Sequence, residues 1–227
     1  MVNGAGRPAA PLALAAAAKV VIELFVAAQC PDAMTCETEF LLGVLKQVGS
    51  IVDLRVDYIG HVNASARYGA DCMHGDAECL ADAQQLCARA HWPGAAGDAA
   101  LGEHAWTSFL GCVAQRATQV MRRAPDSTSE CLQEAGIHDA SAIVECANGK
   151  EGRSMLTASV KRSAQISTSC TMHLDGKPAC VVDGGRWTCT GEAAQPNAES
   201  WVAAVCGAYS RQARGPLPPA CDQPVHA

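Results

Sequence analysis

Thirteen cysteines, spread from Cys30 to Cys221, limit what this 227-residue chain can fold into more than any other feature. A reduced cytosolic protein rarely carries so many, and their spread suits several bridges across one domain rather than a local metal knuckle. The count is odd, so at least one thiol stays free or pairs outside the chain. The bridges are not rescuing a miniature fold. At 49% hydrophobic and 18% charged, the chain has the composition of a packed globule, long enough for one large domain or one domain with an insertion. A net charge of −6 argues against nucleic acid as a partner. The basic pairs Arg122-Arg123 and Lys161-Arg162 read as solvated helix ends.

The amino-terminal stretch points to the same oxidising compartment. Residues 8–18 form a short apolar run of Ala, Pro and Leu, readable as a signal peptide or as a disordered tail. Lys19 and Glu23 interrupt the one long apolar stretch, so no membrane span is expected. Asn63-Ala64-Ser65 is an acceptor triplet for N-glycosylation. The expected location is the secretory pathway, either lysosomal and endosomal or extracellular, and the expected state is a monomer or a disulfide-linked dimer.

Periodicity divides the chain into parts. Val20 to Ala28 is β-branched and almost continuously apolar, as a buried strand is. Phe40, Leu41, Val44, Leu45 and Val48 fall on one helix face that Gly49 should end. Residues 51–59 alternate, with Val52, Leu54, Val56 and Tyr58 opposite Asp53, Arg55 and Asp57. Residues 72–165 are helical in texture and rich in cysteine. Ser127 with Glu130 reads as a capping box, and Asp139 as the cap of a further helix. Ile166, Thr168, Cys170, Met172 and Leu174 alternate again, and Gly184-Gly185 marks a hairpin. A last helix carries Trp201, Val205 and Tyr209 on one side. The layout is α/β: a thioredoxin-like fold, β–α–β over 19–65 and β–β–α over 166–213, with a helical, disulfide-rich insertion over 66–165. Residues 1–18 and 214–227 are tails.

Cys30-Pro31-Asp32 follows the first strand and opens the first helix. There a cysteine meets unpaired backbone N–H groups and the positive helix end, which favour the thiolate that disulfide exchange requires. Cys36 lies six positions on, about 240° around and 9 Å along an α-helix, so it cannot pair with Cys30 while that helix is intact. Cys72, His74, Cys79 and Cys87 form a cluster that a zinc site could explain, but seven positions between Cys72 and Cys79 exceed ordinary ligand spacing. Cys79 and Cys87, about 12 Å apart on one helix, cannot bond each other. Bridges rather than zinc are therefore expected at Cys72, Cys79, Cys87 and Cys112.

The run Cys72-Met-His-Gly-Asp-Ala-Glu-Cys79, with Asp82 and Cys87 beyond it, resembles the signature of the gamma-interferon-inducible lysosomal thiol reductases. That signature reads Cys-Gln-His-Gly, two residues, Glu-Cys, two residues, Asn, four residues, Cys; Met73 and Asp82 depart from it. Cys30-Pro31-Asp32, Tyr58-Ile59-Gly60, Glu145-Cys146-Ala147 and Asp175-Gly176-Lys177-Pro178 are also similar. The resemblance implies a thioredoxin-like fold and reduction of protein disulfides; separately, no cofactor and no metal are expected. The family's second active-site cysteine is Ala33 here, and the position of the fold's cis-proline is Cys170.

The expected enzyme is a thiol–disulfide oxidoreductase acting on disulfide-bonded proteins, with Cys30 as nucleophile, Cys170 as its partner within bonding reach, and Cys36 nearby. Cys170 should sit on a reshaped loop with a trans peptide. The alternative is a non-catalytic secreted protein with Cys30 in a permanent bridge; a metal held by Cys30, Cys36 and Cys170 ranks last. The hairpin should bond Cys180 to Cys189 across its strands, Cys206 should hold the tail through Cys221, and Cys131 with Cys146 should staple two helices.

Overall fold

A computed structural model describes residues 18–92, 104, 106–120, 126–137, 139–193, 195–212 and 215–222. The apolar run at 8–17 and the Arg122-Arg123 pair lie outside the described residues. Five strands form one sheet in the order β2-β1-β5-β6-β7. β1 (Val20–Val26) runs parallel to β2 (Val52–Tyr58), and the crossover between them is a helix. β5 (Thr171–Leu174), β6 (Lys177–Asp183) and β7 (Arg186–Cys189) add antiparallel neighbours on the other side of β1. Val20, Ile22, Leu24, Val52, Leu54 and Val56 are buried on one face, as the alternation requires. Asp57 on the other face is also buried, held by the Arg162 guanidinium at 2.6 Å and the Ser159 hydroxyl at 2.8 Å.

The crossover is made of α1 (Pro31–Met34), a π-helical stretch (Thr35–Leu41) and α2 (Leu42–Val48), which follow without a break. Between β2 and β5 come a two-stranded ladder of β3 (His61–Val62) and β4 (Ala70–Asp71), then α3 (Asp76–His91), α4 (Thr107–Val120), α5 (Asp126–Glu134), α6 (Ser141–Asn148) and α7 (Lys150–Arg162). The small ladder has too few residues to leave a periodic signal. α7 is fastened to β2 by Ser163, whose hydroxyl donates to the Tyr58 carbonyl at 2.5 Å, and by the Asp57 contacts. α8 (Ala198–Arg211) is capped by Asn197, which accepts from the Ser200 amide at 2.8 Å, and buries Trp201, Val205 and Tyr209.

Three expectations change. The alternating run from Ile166 to Leu174 is a strand only from Thr171, because the stretch before it turns: Ser163 O takes the Ile166 amide and Thr168 O takes the Thr171 hydroxyl. The Ser169–Cys170 peptide is cis, not trans. Cys131 does not staple to Cys146; it bonds Cys112, while Cys146 bonds Cys87. Helix packing decides those partners: α4 lies on α5 and α3 on α6, and no local spacing encodes which helices meet. Among the described residues no helix is long and apolar enough to cross a membrane.

Candidate active site

Six bridges leave one thiol among the described residues, that of Cys30. β1 ends in a tight turn, with the Cys30 amide donating to the Ala27 carbonyl at 2.9 Å, and Pro31 then starts the helix with its φ already set. Cys30 is therefore the N-cap residue, in extended conformation, and its side chain does not cap the helix. It is half-buried and contacts the Ser169 carbonyl at 3.5 Å. Ser169 also accepts the Ala27 amide on its hydroxyl at 2.9 Å, so the residue beside Cys170 grips the strand end on one side and touches the Cys30 sulfur on the other.

Cys30 and Cys170, expected to lie within bonding reach, are not bonded to each other. Cys170 bonds Cys36, and both are fully buried. Cys36 is the second residue of the π-helical stretch Thr35–Leu41 and, as its helical phase predicts, is not bonded to Cys30. It meets Cys170 in the segment entering β5. Ala33, at the position of the family's second cysteine, is buried and inert. Three cysteines thus gather at one end of the sheet as an accessible thiol beside a buried disulfide.

Asp32 fixes the opposite rim. Its carboxylate accepts the amides of Gly184 and Gly185 at 2.8 Å each, tying the helix start to the tip of the β6–β7 hairpin. Both turn glycines have positive φ, 58° and 74°, which side chains rarely adopt and which this two-residue turn requires. Within the hairpin, Cys180 faces Cys189 across the strands and is bonded to it.

A seam of buried polar groups lies beneath, between the crossover helix and α3. Glu37, next to Cys36, is fully buried, and its Oε1 has no hydrogen-bond partner among the described residues. Burial pushes its carboxyl up to about 8. Asp82 accepts the Ala28 amide at 3.0 Å, and burial raises its carboxyl well above the usual range. Tyr58 bonds Gln85 close by. Reading the sequence missed Glu37 altogether. Its only trace was an acid at a position where the helix otherwise turns apolar residues inward.

The residues weighed for zinc are placed otherwise. Cys72 bonds Cys79, Cys87 bonds Cys146, and His74 Nδ1 lies 2.5 Å from Glu78 Oε2. Cys72, Glu78 and Asp82 do crowd together, but the Cys72 sulfur is spent in its bridge. Cys206 bonds Cys221, so α8 carries the tail segment. Asn63 opens the β3–β4 turn, its amide donating to Asp71 at 2.9 Å and its oxygen accepting from Ser65 at 3.0 Å.

The family model for gamma interferon inducible lysosomal thiol reductase matches residues 21–135. A gamma-interferon-inducible lysosomal thiol reductase-like protein of Anopheles gambiae is 27% identical over 143 residues, 61% of this chain and 58% of its own length. The match therefore spans less than two thirds of that relative. A gamma-interferon-responsive lysosomal thiol protein of Arabidopsis thaliana is 22% identical over 90% of this chain and 76% of its own. Among solved structures, the reduced disulfide bond oxidoreductase DsbG of Mycobacterium tuberculosis superposes with a TM-score of 0.51 at 16% identity, covering 92% of this chain and 86% of that one. The alpha-DsbA1 of Wolbachia pipientis gives 0.50 at 7% identity, covering 86% and 88%. These likenesses establish the thioredoxin-like fold with its helical insertion.

Proposed function

Because the chain belongs to the gamma interferon inducible lysosomal thiol reductase family, we propose that it is a thiol–disulfide oxidoreductase that reduces disulfide-bonded proteins through Cys30. One observation carries this reading: the single unpaired thiol among the described residues stands half-buried at a helix start, beside a bridge that solvent does not reach. The other twelve cysteines are consumed in bridges, and the odd one left over is the one at the helix start.

The chemistry needs three sulfurs in place of the usual two. The Cys30 thiolate attacks a substrate disulfide, forms a mixed disulfide and expels one substrate sulfur, which takes up a proton. In the reduced protein Cys170 gives up its proton and attacks the Cys30 sulfur. The second substrate thiol leaves, and a Cys30–Cys170 bond remains. Cys36 then attacks Cys170 and expels Cys30 as a thiolate, which gives the bridge seen in the structure. One substrate disulfide has become two thiols, and Cys36 and Cys170 have lost two electrons. Two external thiols, or one dithiol, acting in turn through Cys30 restore them and leave as a disulfide. Six bridges suit an oxidising lumen, and we place the protein in an acidic endosomal or lysosomal compartment or outside the cell. Asn63 is proposed as its glycosylated asparagine.

The test follows the buried bridge. In native protein treated with glutathione, Cys36 and Cys170 should become alkylatable in the wild type and stay bonded in Cys30→Ser. That variant should also lose insulin reduction, and Cys170→Ser should accumulate mixed disulfides on Cys30. If both variants reduce insulin as well as wild type, or wild type reduces none at acidic or neutral pH, the reading fails and a redox-inert member of the family remains.

A further inference from the structure

The Cys87–Cys146 bridge joins α3 to α6, and two further side chains of metal-ligand type stand beside it. Cys87 and His91 are four positions apart on α3 and so share a helix face. Glu151 lies in the first turn of α7, with its Oε1 3.0 Å from His91 Nε2. A ring nitrogen of His91, a carboxylate oxygen of Glu151 and the Cys146 sulfur all lie within 4.8 Å of one another. The Cys87 sulfur is 2.00 Å from that of Cys146. Three helices thus bring four donors to one point.

Two sulfurs, an imidazole nitrogen and a carboxylate oxygen are donors that zinc takes in tetrahedral sets of four. While the bridge is closed its sulfurs are poor donors; before it closes each is a thiol that gives up its proton to a metal. With the Cα atoms 6.0 Å apart, side-chain rotation lets the sulfurs separate. They need about 3.8 Å, the edge of a tetrahedron with arms of about 2.3 Å. The group also has an entrance. Cys87 and Cys146 are buried, whereas the His91 and Glu151 side chains are 33% and 54% exposed, so an ion reaches the sulfurs past them. The cluster of Cys72, Glu78 and Asp82 lacks such an entrance, since both acids are fully buried and Asp82 already holds the Ala28 amide.

We propose that Cys87, His91, Cys146 and Glu151 form a zinc site while the two cysteines are thiols, and that the bridge seen here replaces the metal on oxidation. Every cysteine of the chain starts as a thiol, so the site precedes the bridge. Zinc then ties α3, α6 and α7 at the point where the bridge later ties α3 to α6. The replacement needs an oxidant, a low-molecular-weight disulfide. One zinc-bound thiolate attacks it and expels a thiolate; the second cysteine attacks the mixed disulfide and expels the other. The two cysteines have lost two electrons to the oxidant, and Zn²⁺ departs as its sulfur donors are consumed. His91 and Glu151 are left in the contact they make in the structure.

The test uses the reduced full chain and Zn²⁺ alone. One equivalent of Zn²⁺ should protect Cys87 and Cys146 from alkylation, read at each cysteine by peptide mass spectrometry. In the double variant His91→Ala/Glu151→Gln the zinc affinity behind that protection should fall about tenfold or more, since losing even a group that supports a ligand costs that much. Both altered side chains are part-exposed, and closure of the Cys87–Cys146 bridge on oxidation reports that the variant folds. Glutathione disulfide added to the zinc-loaded wild type should release the bound Zn²⁺ as the bridge forms. Equal alkylation with and without Zn²⁺, equal protection in the double variant, or bridge formation without release overturns the proposal. None of these readouts needs Cys30 to reduce a substrate, so the zinc site and the exchange reaction fail separately.

Discussion

The two residues Cys36 and Glu37 put opposite demands on one turn of helix. Cys36 needs an apolar wall to protect its bridge, and Glu37 brings a carboxyl into that same wall with one oxygen unpartnered among the described residues. Burial resolves the conflict by keeping Glu37 neutral over most of the physiological range. The cost has a definite sign. The folded carboxyl titrates near 8 against an ordinary 4.5, so the unfolded chain holds fewer protons between those values and stability falls as pH rises through that window. The slope is at most about 1.4 kcal/mol per pH unit for one group. Glu37→Gln should therefore match wild type near the acidic end and exceed it at the alkaline end. Denaturant midpoints at both ends measure this, and equal pH slopes in the two proteins would remove Glu37 as a cause.

At the scale of elements, the site is assembled from three pieces: the crossover helix, the segment entering β5, and the β6–β7 hairpin. Asp32 joins the first to the third through two charge-assisted hydrogen bonds to backbone amides. Asp32→Ala should free the hairpin tip at a cost of about 1–2 kcal/mol, since the turn amides become exposed and can find water. Exchange protection at Gly184 and Gly185 should drop, while the Cys180–Cys189 bond persists because strand register holds it. Unchanged protection there would mean that the turn holds its own shape.

Across the whole molecule, bridges divide the labour between site and scaffold. Cys87–Cys146 and Cys112–Cys131 bind α3 to α6 and α4 to α5, Cys180–Cys189 locks the hairpin, and Cys206–Cys221 holds the tail segment after α8. The tail has few other means of staying down, since Gly215 to Leu217 are exposed. Truncation after Pro219 should expose one additional thiol, at Cys206, with the rest of the fold intact. An unchanged thiol count would show that Cys206 pairs elsewhere.

The sequence by itself determined the strand–helix–strand opening, because the periods of Val20–Val26, the crossover helix and Val52–Tyr58 are local and unambiguous. It also determined the hairpin facing Cys180 with Cys189, since a two-residue glycine turn fixes which residues oppose each other. The position of Cys30 was legible for the same reason: a cysteine after a buried strand and before a proline has one place to be, the start of the helix. Only the tertiary structure decided the partner of Cys170, the helix pairs joined by Cys131 and Cys146, and the burial of Glu37 and Asp82. Those depend on which helices and loops pack together, a property of side chains far apart in the chain. A buried acid looks like any other acid until packing removes the water around it.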